Sequence, residues 1–291
     1  MLTAGRGRAV LLRYAAALAS VLLAAVPAAP TRADLPQSAA APRRVVSINL
    51  CTDQLAMTLA SPGQLISVSA LARDPGSSLM ADEAAAFPVN HSRAEEVYLL
   101  RPDLVLASSF TSPATLAMLR RLDVPVMVQA PATSLAEVRE SIVAMGVALG
   151  QQDRAAVLAR RFDEALGILR MPVDPAAPLA ATWQANGYVT GTATLSADVL
   201  QAAGFDLLAR KLGLQFGGSL PLETLLLADP DLLVTDPPAR GSARADDVVR
   251  HPALAHARAT RVEVPGRDWV CGLPQVLDVV ARLRDLRIAG P

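Results

Sequence analysis

The stretch that decides the fold is residues 134–170, SLAEVRESIVAMGVALGQQDRAAVLARRFDEALGILR. It carries no strand pattern, and its apolar residues recur every three or four positions, which is the periodicity of a helix buried on one face. Gly150 divides the stretch, so we predict one helix before the glycine and a second over about 152–170. At 1.5 Å per residue the second helix would be roughly 30 Å long, about the diameter of a small domain.

Short apolar strands alternate with helices on both sides of this helical stretch. Strands are predicted at 44–48, 65–68, 104–106 and 125–128 before it, and at 179–183, 231–235 and 261–264 after it. Such alternation is typical of parallel α/β sheets. The predicted fold class is therefore α/β, with two Rossmann-like parallel-sheet lobes joined by one long backbone helix. The predicted boundaries are 43–150 for the N-terminal lobe, 151–172 for the inter-lobe helix and 173–291 for the C-terminal lobe.

The two predicted lobes share a local pattern. Glu95 stands seven residues before the Pro-Asp-Leu turn at 102–104, and Glu223 stands seven residues before the same turn at 230–232. Each is a helix, turn and strand unit with a carboxylate in or near the first turn of the helix. Two related lobes would leave such a repeat, although Pro-Asp-Leu is a common helix-to-strand turn and chance is the alternative.

The N-terminal segment has the layout of a cleaved secretory signal. Arginines precede an apolar run at 14–26, and small residues at 31 and 33 suit a cleavage site, so residues 1–33 are predicted to be a signal peptide. The run is shorter than the roughly 20 residues that span a bilayer; a buried N-terminal helix is the alternative. Residues 34–42, rich in Ala and Pro, are predicted to be a disordered leader. These features predict a periplasmic protein.

Charge and motifs exclude several function classes. Lys plus Arg equals Asp plus Glu, at 27 each, which argues against a nucleic-acid partner because phosphate binding needs a basic surface. The chain shows no zinc-ligand spacing, nucleophile elbow or phosphate-binding glycine loop. No catalytic group, metal site or intrinsic cofactor is therefore predicted, and the chain is expected to be a monomer and not an enzyme.

Four segments resemble one known family. They are RVVSINLCTDQL (44–55), AEEVYLLRPDLVLAS (94–108), LETLLLADPDLLVTD (222–236) and RDWVCGLPQVLDVVARL (267–283). Together they resemble the class III, or helical-backbone, periplasmic binding proteins of ABC importers, over about residues 43–288. The resemblance implies a cleft ligand that is a cobalamin, a haem or a ferric siderophore. The Asp-Trp before the last helix and the Trp-Gln that opens the second lobe are similar to the cobalamin-binding members.

Candidate ligand-binding residues follow the strands, because ligands of α/β lobes sit beyond the carboxyl ends of the strands. They are Asn49, Cys51, Arg73, Asp74, His91, Phe110, Trp183, Tyr188, Arg267 and Trp269. Aromatic side chains offer broad contact to a flat chelate, and arginines could meet anionic groups on it. His91 could touch a metal centre. The alternatives are that each tryptophan belongs to the core and that each arginine is a solvated surface residue.

The resemblance also implies a partner. Glu95 and Glu223 fall where the family carries one acidic residue per lobe that docks onto arginines of the permease. The alternative is a helix-end role: residues 92–95 also form a capping-box pattern, and an acid near a helix N-terminus suits the helix dipole.

Cys51 and Cys271 are the chain's two cysteines. The resemblance brings them together across the cleft, which implies a disulfide in the oxidising periplasm. Two alternatives remain, namely thiolates that touch a bound metal and two unrelated buried thiols. The rival functions are a cleft enzyme or thiol redox protein that uses these cysteines, and a chelate sensor or chaperone without a permease.

Overall fold

The computed structural model describes residues 40–237 and 244–290. The predicted signal peptide, and all but the last three residues of the predicted leader, lie outside the described residues. Within the described ranges, no helix is long and apolar enough to cross a membrane.

The first lobe is built on a five-stranded sheet in which every pairing is parallel. Its strands are β1 (Val45–Ser47), β2 (Leu65–Ser69), β3 (Val89–Asn90), β4 (Leu104–Ser108) and β5 (Val126–Gln129), in the spatial order β3-β2-β1-β4-β5. Its helices are α1 (Leu50–Leu59), α2 (Ala81–Ala84), α3 (Ala94–Leu99) and α4 (Pro113–Arg121). Val45 packs in one core cluster and Val46 in another, so both faces of the sheet are covered.

Two helices follow the first sheet, α5 (Leu135–Leu149) and α6 (Gln152–Leu169). The Ser134 side chain caps α5 by accepting a hydrogen bond from the Glu137 N–H. Gly150 ends α5 in the left-handed region, at φ 67°, a conformation that glycine adopts without steric cost. Helix α6 ends at Leu169, one residue before the predicted end at about 170.

The second lobe repeats this architecture. Its main strands are β6 (Leu179–Trp183), β8 (Asp206–Leu207), β10 (Leu232–Thr235) and β11 (Thr260–Glu263), all parallel and in the spatial order β11-β10-β6-β8. Its helices are α7 (Leu195–Ala202), α8 (Leu208–Lys211), α9 (Leu222–Ala228) and α10 (Val276–Ala289). The order β2-β1-β4-β5 in the first lobe corresponds to β8-β6-β10-β11 in the second. The predicted α/β class with two parallel-sheet lobes is confirmed.

A small antiparallel ribbon in the second lobe was not predicted. It pairs β7 (Tyr188–Thr190) with β9 (Gly217–Ser219). Each strand has three residues and β9 contains two glycines, so neither offers enough side chains for a period-two pattern.

One core runs through both lobes. Its buried side chains include Val45 of β1, Ile142 of α5, Phe162 of α6 and Val280 of α10. Helices α5, α6 and α10 therefore join the two sheets through shared apolar packing.

Candidate functional site

The carboxyl edges of the two sheets face each other. Cys51, just after β1, is bonded to Cys271, which follows β11, and their Cα atoms lie 4.9 Å apart. Arg267 also follows β11, and its Nη1 donates to the carbonyl of Pro75, which follows β2. These two links hold together the loops that leave the sheets, so the strand ends of both lobes border one cleft. Bonded sulfurs leave neither cysteine as a free thiolate for a metal.

The loop before α10 is wedged between the lobes. Gly272 has φ 58°, and a Cβ there would lie 3.1 Å from Cγ2 of Val138 on α5 and 3.4 Å from Cδ2 of Leu195 on α7. A side chain at this position would be strained by the backbone conformation and crowded by both helices. Trp269, in the same loop, is only 6% exposed and packs in the shared core.

The first turn of α1 organises the cleft side of the N-terminal lobe. Asn49 caps the helix, since its Oδ1 accepts from the Cys51 N–H at 3.0 Å. Thr52 pairs its hydroxyl with that of Ser47 at 2.8 Å. Gln54 accepts from the Leu79 N–H at 2.8 Å through Oε1. Asn49 therefore has a structural role as the cap of α1. Thr52 and Gln54 hold this helix against β1 and against the loop that contains Leu79.

Asp53 in the same turn is fully buried. Its carboxylate accepts from the backbone N–H of Ser69 at 3.1 Å and from the Ser69 hydroxyl. Burial raises the pKa of Asp53 to about 6, although hydrogen bonds from Ser47 and Ser69 act in the opposite direction. No cation pairs with Asp53 in the described part of the chain, so removal from water dominates its titration.

Arg73 and Asp74 bind neighbouring backbone and side-chain groups. The Arg73 guanidinium donates to the carbonyls of Ala84, Ala85 and Phe87, at and just beyond the end of α2. Asp74 accepts from the Gly76 N–H at 3.0 Å and from the Ser77 hydroxyl at 2.7 Å. Three of the five donor positions of Arg73 are thereby directed at protein carbonyls.

Trp183 does not line the cleft, contrary to the expectation from sequence. Its side chain is fully buried, and Nε1 donates to the Val248 carbonyl at 3.2 Å. It packs with Val189 and Leu225 in the second lobe's own apolar cluster. The indole has no surface to offer a ligand in this structure.

Three other aromatic residues are exposed beyond the strand ends. Phe110 follows β4 and is 81% exposed, while Tyr188, in the ribbon that follows β6, is 38% exposed. The Tyr188 hydroxyl donates to the Phe216 carbonyl at 3.0 Å, and Phe216 itself is 72% exposed. Gly217 allows this contact, because a Cβ there would lie 2.5 Å from the Tyr188 hydroxyl.

Phe216 was not predicted as a site residue. The available signal was Phe216 itself, one of the chain's five phenylalanines, which stands in the glycine-rich segment GLQFGGS at 213–219. The pattern of this segment predicts no helix or strand that could bury the ring. Without the ribbon, nothing linked that segment to Tyr188.

His91 lies at the edge of the first sheet, just after β3. Its imidazole is 66% exposed, and Nδ1 lies 3.2 Å from Oε1 of Glu96. The His91 N–H also donates to Oε2 of Glu96 at 2.8 Å. Burial acts to raise the pKa of Glu96, but the hydrogen bonds and charge of His91 outweigh it and lower the pKa. Glu96 thus orients the imidazole through Nδ1, and the other ring nitrogen, Nε2, is not used in this contact. Among the residues described, no three His, Cys, Asp or Glu side chains form a metal-binding group.

The predicted docking acids are both exposed, each in the first turn of a helix. Glu95 lies on α3 and Glu223 on α9. The capping-box interpretation of Glu95 is wrong: α3 begins after Arg93, and it is Glu96 that reaches back to a backbone N–H. Glu95 is therefore not used to cap its helix.

A cavity of about 310 Å³ lies beside the Arg267 contact and is lined from both lobes. Met80 and Glu83 line it from the first lobe, and Asp268, Gln275 and Arg282 from the second. Because both lobes contribute, its shape depends on their relative position.

Comparison with known proteins gives a consistent pattern. A family model described as "Periplasmic binding protein" matches residues 45–263. The chain is similar to the apo form of the periplasmic haem-binding protein RhuT from Roseiflexus sp. RS-1, with 24% identity and a TM-score of 0.69, over 85% of this chain and 97% of that one. It is also similar to the vitamin B12-binding protein BtuF of Vibrio cholerae, with 17% identity and a TM-score of 0.63, over 85% and 97% of the two chains. No curated protein sequence matches the chain.

Proposed function

The chain belongs to the periplasmic binding protein family, and on that premise we propose that it captures a metal chelate in its cleft and delivers it to an ABC importer. It would act in the periplasm as a monomer, after removal of residues 1–33. Lobes at 43–150 and 173–291 would enclose the ligand, with 151–172 as the stiff link. Binding would be stoichiometric and non-covalent.

The observation that carries this proposal is the set of exposed aromatic rings beyond the strand ends. Phe110 comes from the first lobe, and Tyr188 and Phe216 come from the second, with exposures of 81%, 38% and 72%. Exposed phenylalanines are costly in water, and aromatic faces contributed by both sides of a cleft suit a broad, flat ligand. A chelate held between such faces would contact both lobes at once.

Within the chelate class, we infer that a corrinoid suits these residues best. Arg73 donates to three backbone carbonyls, and Arg267 donates to the Pro75 carbonyl. Arg73, with three of its donors directed at protein carbonyls, is less available to the carboxylates of a haem or to an anionic siderophore, whereas the Nε of Arg267 makes no hydrogen bond within the described residues. A corrinoid brings amide side chains and its own axial ligands, so it needs neither a free cation nor a protein ligand to the metal. The neighbour that binds vitamin B12 is consistent with this choice.

Haem is the second candidate, and His91 is the observation that favours it. Its exposed imidazole is oriented by Glu96 through Nδ1, an arrangement typical of metal-ligating histidines. The similarity to haem-binding RhuT supports the same alternative.

The test is native mass spectrometry of the mature secreted protein offered cyanocobalamin, haemin and ferrichrome together. Retention of one cyanocobalamin per chain is expected. Retained haemin that is lost in a His91→Ala variant would favour the second candidate, and retention of none of the three would refute the proposal. Chemical turnover of any of them would instead support the rival cleft enzyme.

We further propose that Glu95 and Glu223 dock onto cations of the permease. Both are exposed in equivalent first turns, so reversing their charge should cost little stability. Glu95→Lys with Glu223→Lys should leave chelate affinity within about twofold and impair transport. Glu164→Lys, at an exposed acid of α6, is the matched control. Normal transport by the double variant would instead mean that the two acids are only helix-end residues.

A further inference from the structure

The two helix, turn and strand units are equivalent in backbone as well as in sequence. Arg101 and Asp229 each adopt the left-handed conformation after the helix, at φ 47° and φ 44°. Asp103 then accepts from the Arg44 N–H at 2.9 Å, at the entry to β1, and Asp231 accepts from the Leu179 N–H at 2.7 Å, at the start of β6. The same turn therefore fixes α3 against the first sheet and α9 against the second.

Each unit also exposes one large apolar side chain at the same position. Leu99 is 79% exposed and Leu227 is 87% exposed. Each lies four residues after its acid, so Glu95 and Leu99 share one helix face, as do Glu223 and Leu227. The residues between them at the inward position, Val97 and Leu225, are buried, which turns the acid and the leucine outward together.

Single exposed leucines are common on protein surfaces, but Leu99 and Leu227 occupy equivalent positions in the two lobes. The same acid-and-leucine pair occurs at the same place in two equivalent units. A partner with two equivalent halves would meet the same chemistry on both lobes.

We propose that Leu99 and Leu227 are apolar docking points for the permease, each acting with the neighbouring acid. The partner would be a membrane protein with two related halves, each presenting a cation beside an apolar recess. This inference rests on the proposed function. A second copy of this chain is a poorer fit, because two identical surfaces would place carboxylate against carboxylate and like charges at an interface repel.

The first experiment is photo-crosslinking in cells that secrete the full chain, with benzoylphenylalanine introduced at position 99, 227 or 168. Ile168 on α6 is 75% exposed and provides the matched control. Positions 99 and 227 should cross-link to the same ABC permease subunit, identified by peptide sequencing, and position 168 should not. Cross-links to two different proteins, to a second copy of this chain, or equally from position 168 would overturn the proposal.

The second experiment measures binding of the mature protein to that permease in nanodiscs. Leu99→Gln with Leu227→Gln should weaken binding at least tenfold, whereas Ile168→Gln should change it less than twofold. Circular dichroism and cyanocobalamin affinity should be unchanged, which separates docking from folding and from capture. Binding by the double variant within twofold of wild type would refute the proposal. Failure to bind any chelate would refute the proposed capture alone, because association of the unliganded protein with the permease is still measured.

Discussion

Removal of the Cys51–Cys271 bridge should lower stability through the unfolded state. The bridge joins residues 220 positions apart, and in the chain-entropy model closing a loop of that length is worth about 5 kcal/mol. Measured values are usually smaller, so we expect a loss of at least about 2 kcal/mol for Cys51→Ala with Cys271→Ala. For a domain of this size, roughly 2–4 °C of Tm accompany each kcal/mol. The double variant should therefore melt at least about 4 °C below the wild type.

The assay is thermal unfolding followed by circular dichroism, with and without a phosphine reductant. The shared core predicts one main transition for both lobes. Reductant should move the wild type to the Tm of the double variant and leave the variant unchanged, which controls for packing lost at the two alanines. A thiol count on unreduced, unfolded wild type should find none. A double variant that melts within about 2 °C of wild type, or two free thiols in the wild type, would refute the reasoning.

Three further predictions concern the exposed phenylalanines, the buried Trp269 and the buried Asp53. Phe110→Ala and Phe216→Ala should each weaken binding of the retained chelate at least tenfold, or about 1.4 kcal/mol, measured by fluorescence titration; unchanged affinity in both would remove the aromatic faces from the site. Trp269→Ala should lower the free energy of unfolding by about 3–5 kcal/mol because the ring is core, and urea unfolding with wild-type stability would contradict this. Asp53, with its pKa raised from 3.8 to about 6, holds its proton more tightly when folded, so its contribution to stability is full below about pH 4 and is lost as pH rises through about 6. Asp53→Asn should therefore gain stability relative to wild type on going from pH 4 to pH 8, by up to about 3 kcal/mol; a difference that does not change with pH would count against it.

Long periodic segments made most of the fold predictable. Helix α5 carries its own start and stop signals in Ser134 and Gly150, and its buried positions follow the predicted spacing. The equivalence of the two lobes was visible as a repeat around Glu95 and Glu223, because both units use a left-handed residue after the helix and an aspartate that accepts from a backbone N–H near the start of a neighbouring strand.

The direction of individual side chains was harder to predict. Trp183 was expected in the cleft because it ends a strand, but side chains alternate along a strand. Leu179, Ala181 and Trp183 pack in one cluster, whereas Ala180 packs in the other. Both faces of β6 are buried in this way, so the last residue of the strand is core on either face, and the sequence pattern alone does not show where the cleft begins.

The roles of the arginines could not be read from sequence, because they depend on contacts between distant segments. Arg73 meets carbonyls eleven to fourteen residues away, and Arg267 meets Pro75 across 192 positions. Phe216 depends in the same way on the ribbon that brings it to Tyr188. Local patterns carry no information about which loop another loop will touch.

The covalent link between Cys51 and Cys271 also closes residues 51–271 into a ring that includes every strand of the two sheets except β1. A protease that cuts any loop within this ring opens it but releases no fragment, so the two pieces remain tethered and can stay docked through the common core. Damage that would separate the halves of an open chain is thereby converted into a nick that the fold can survive.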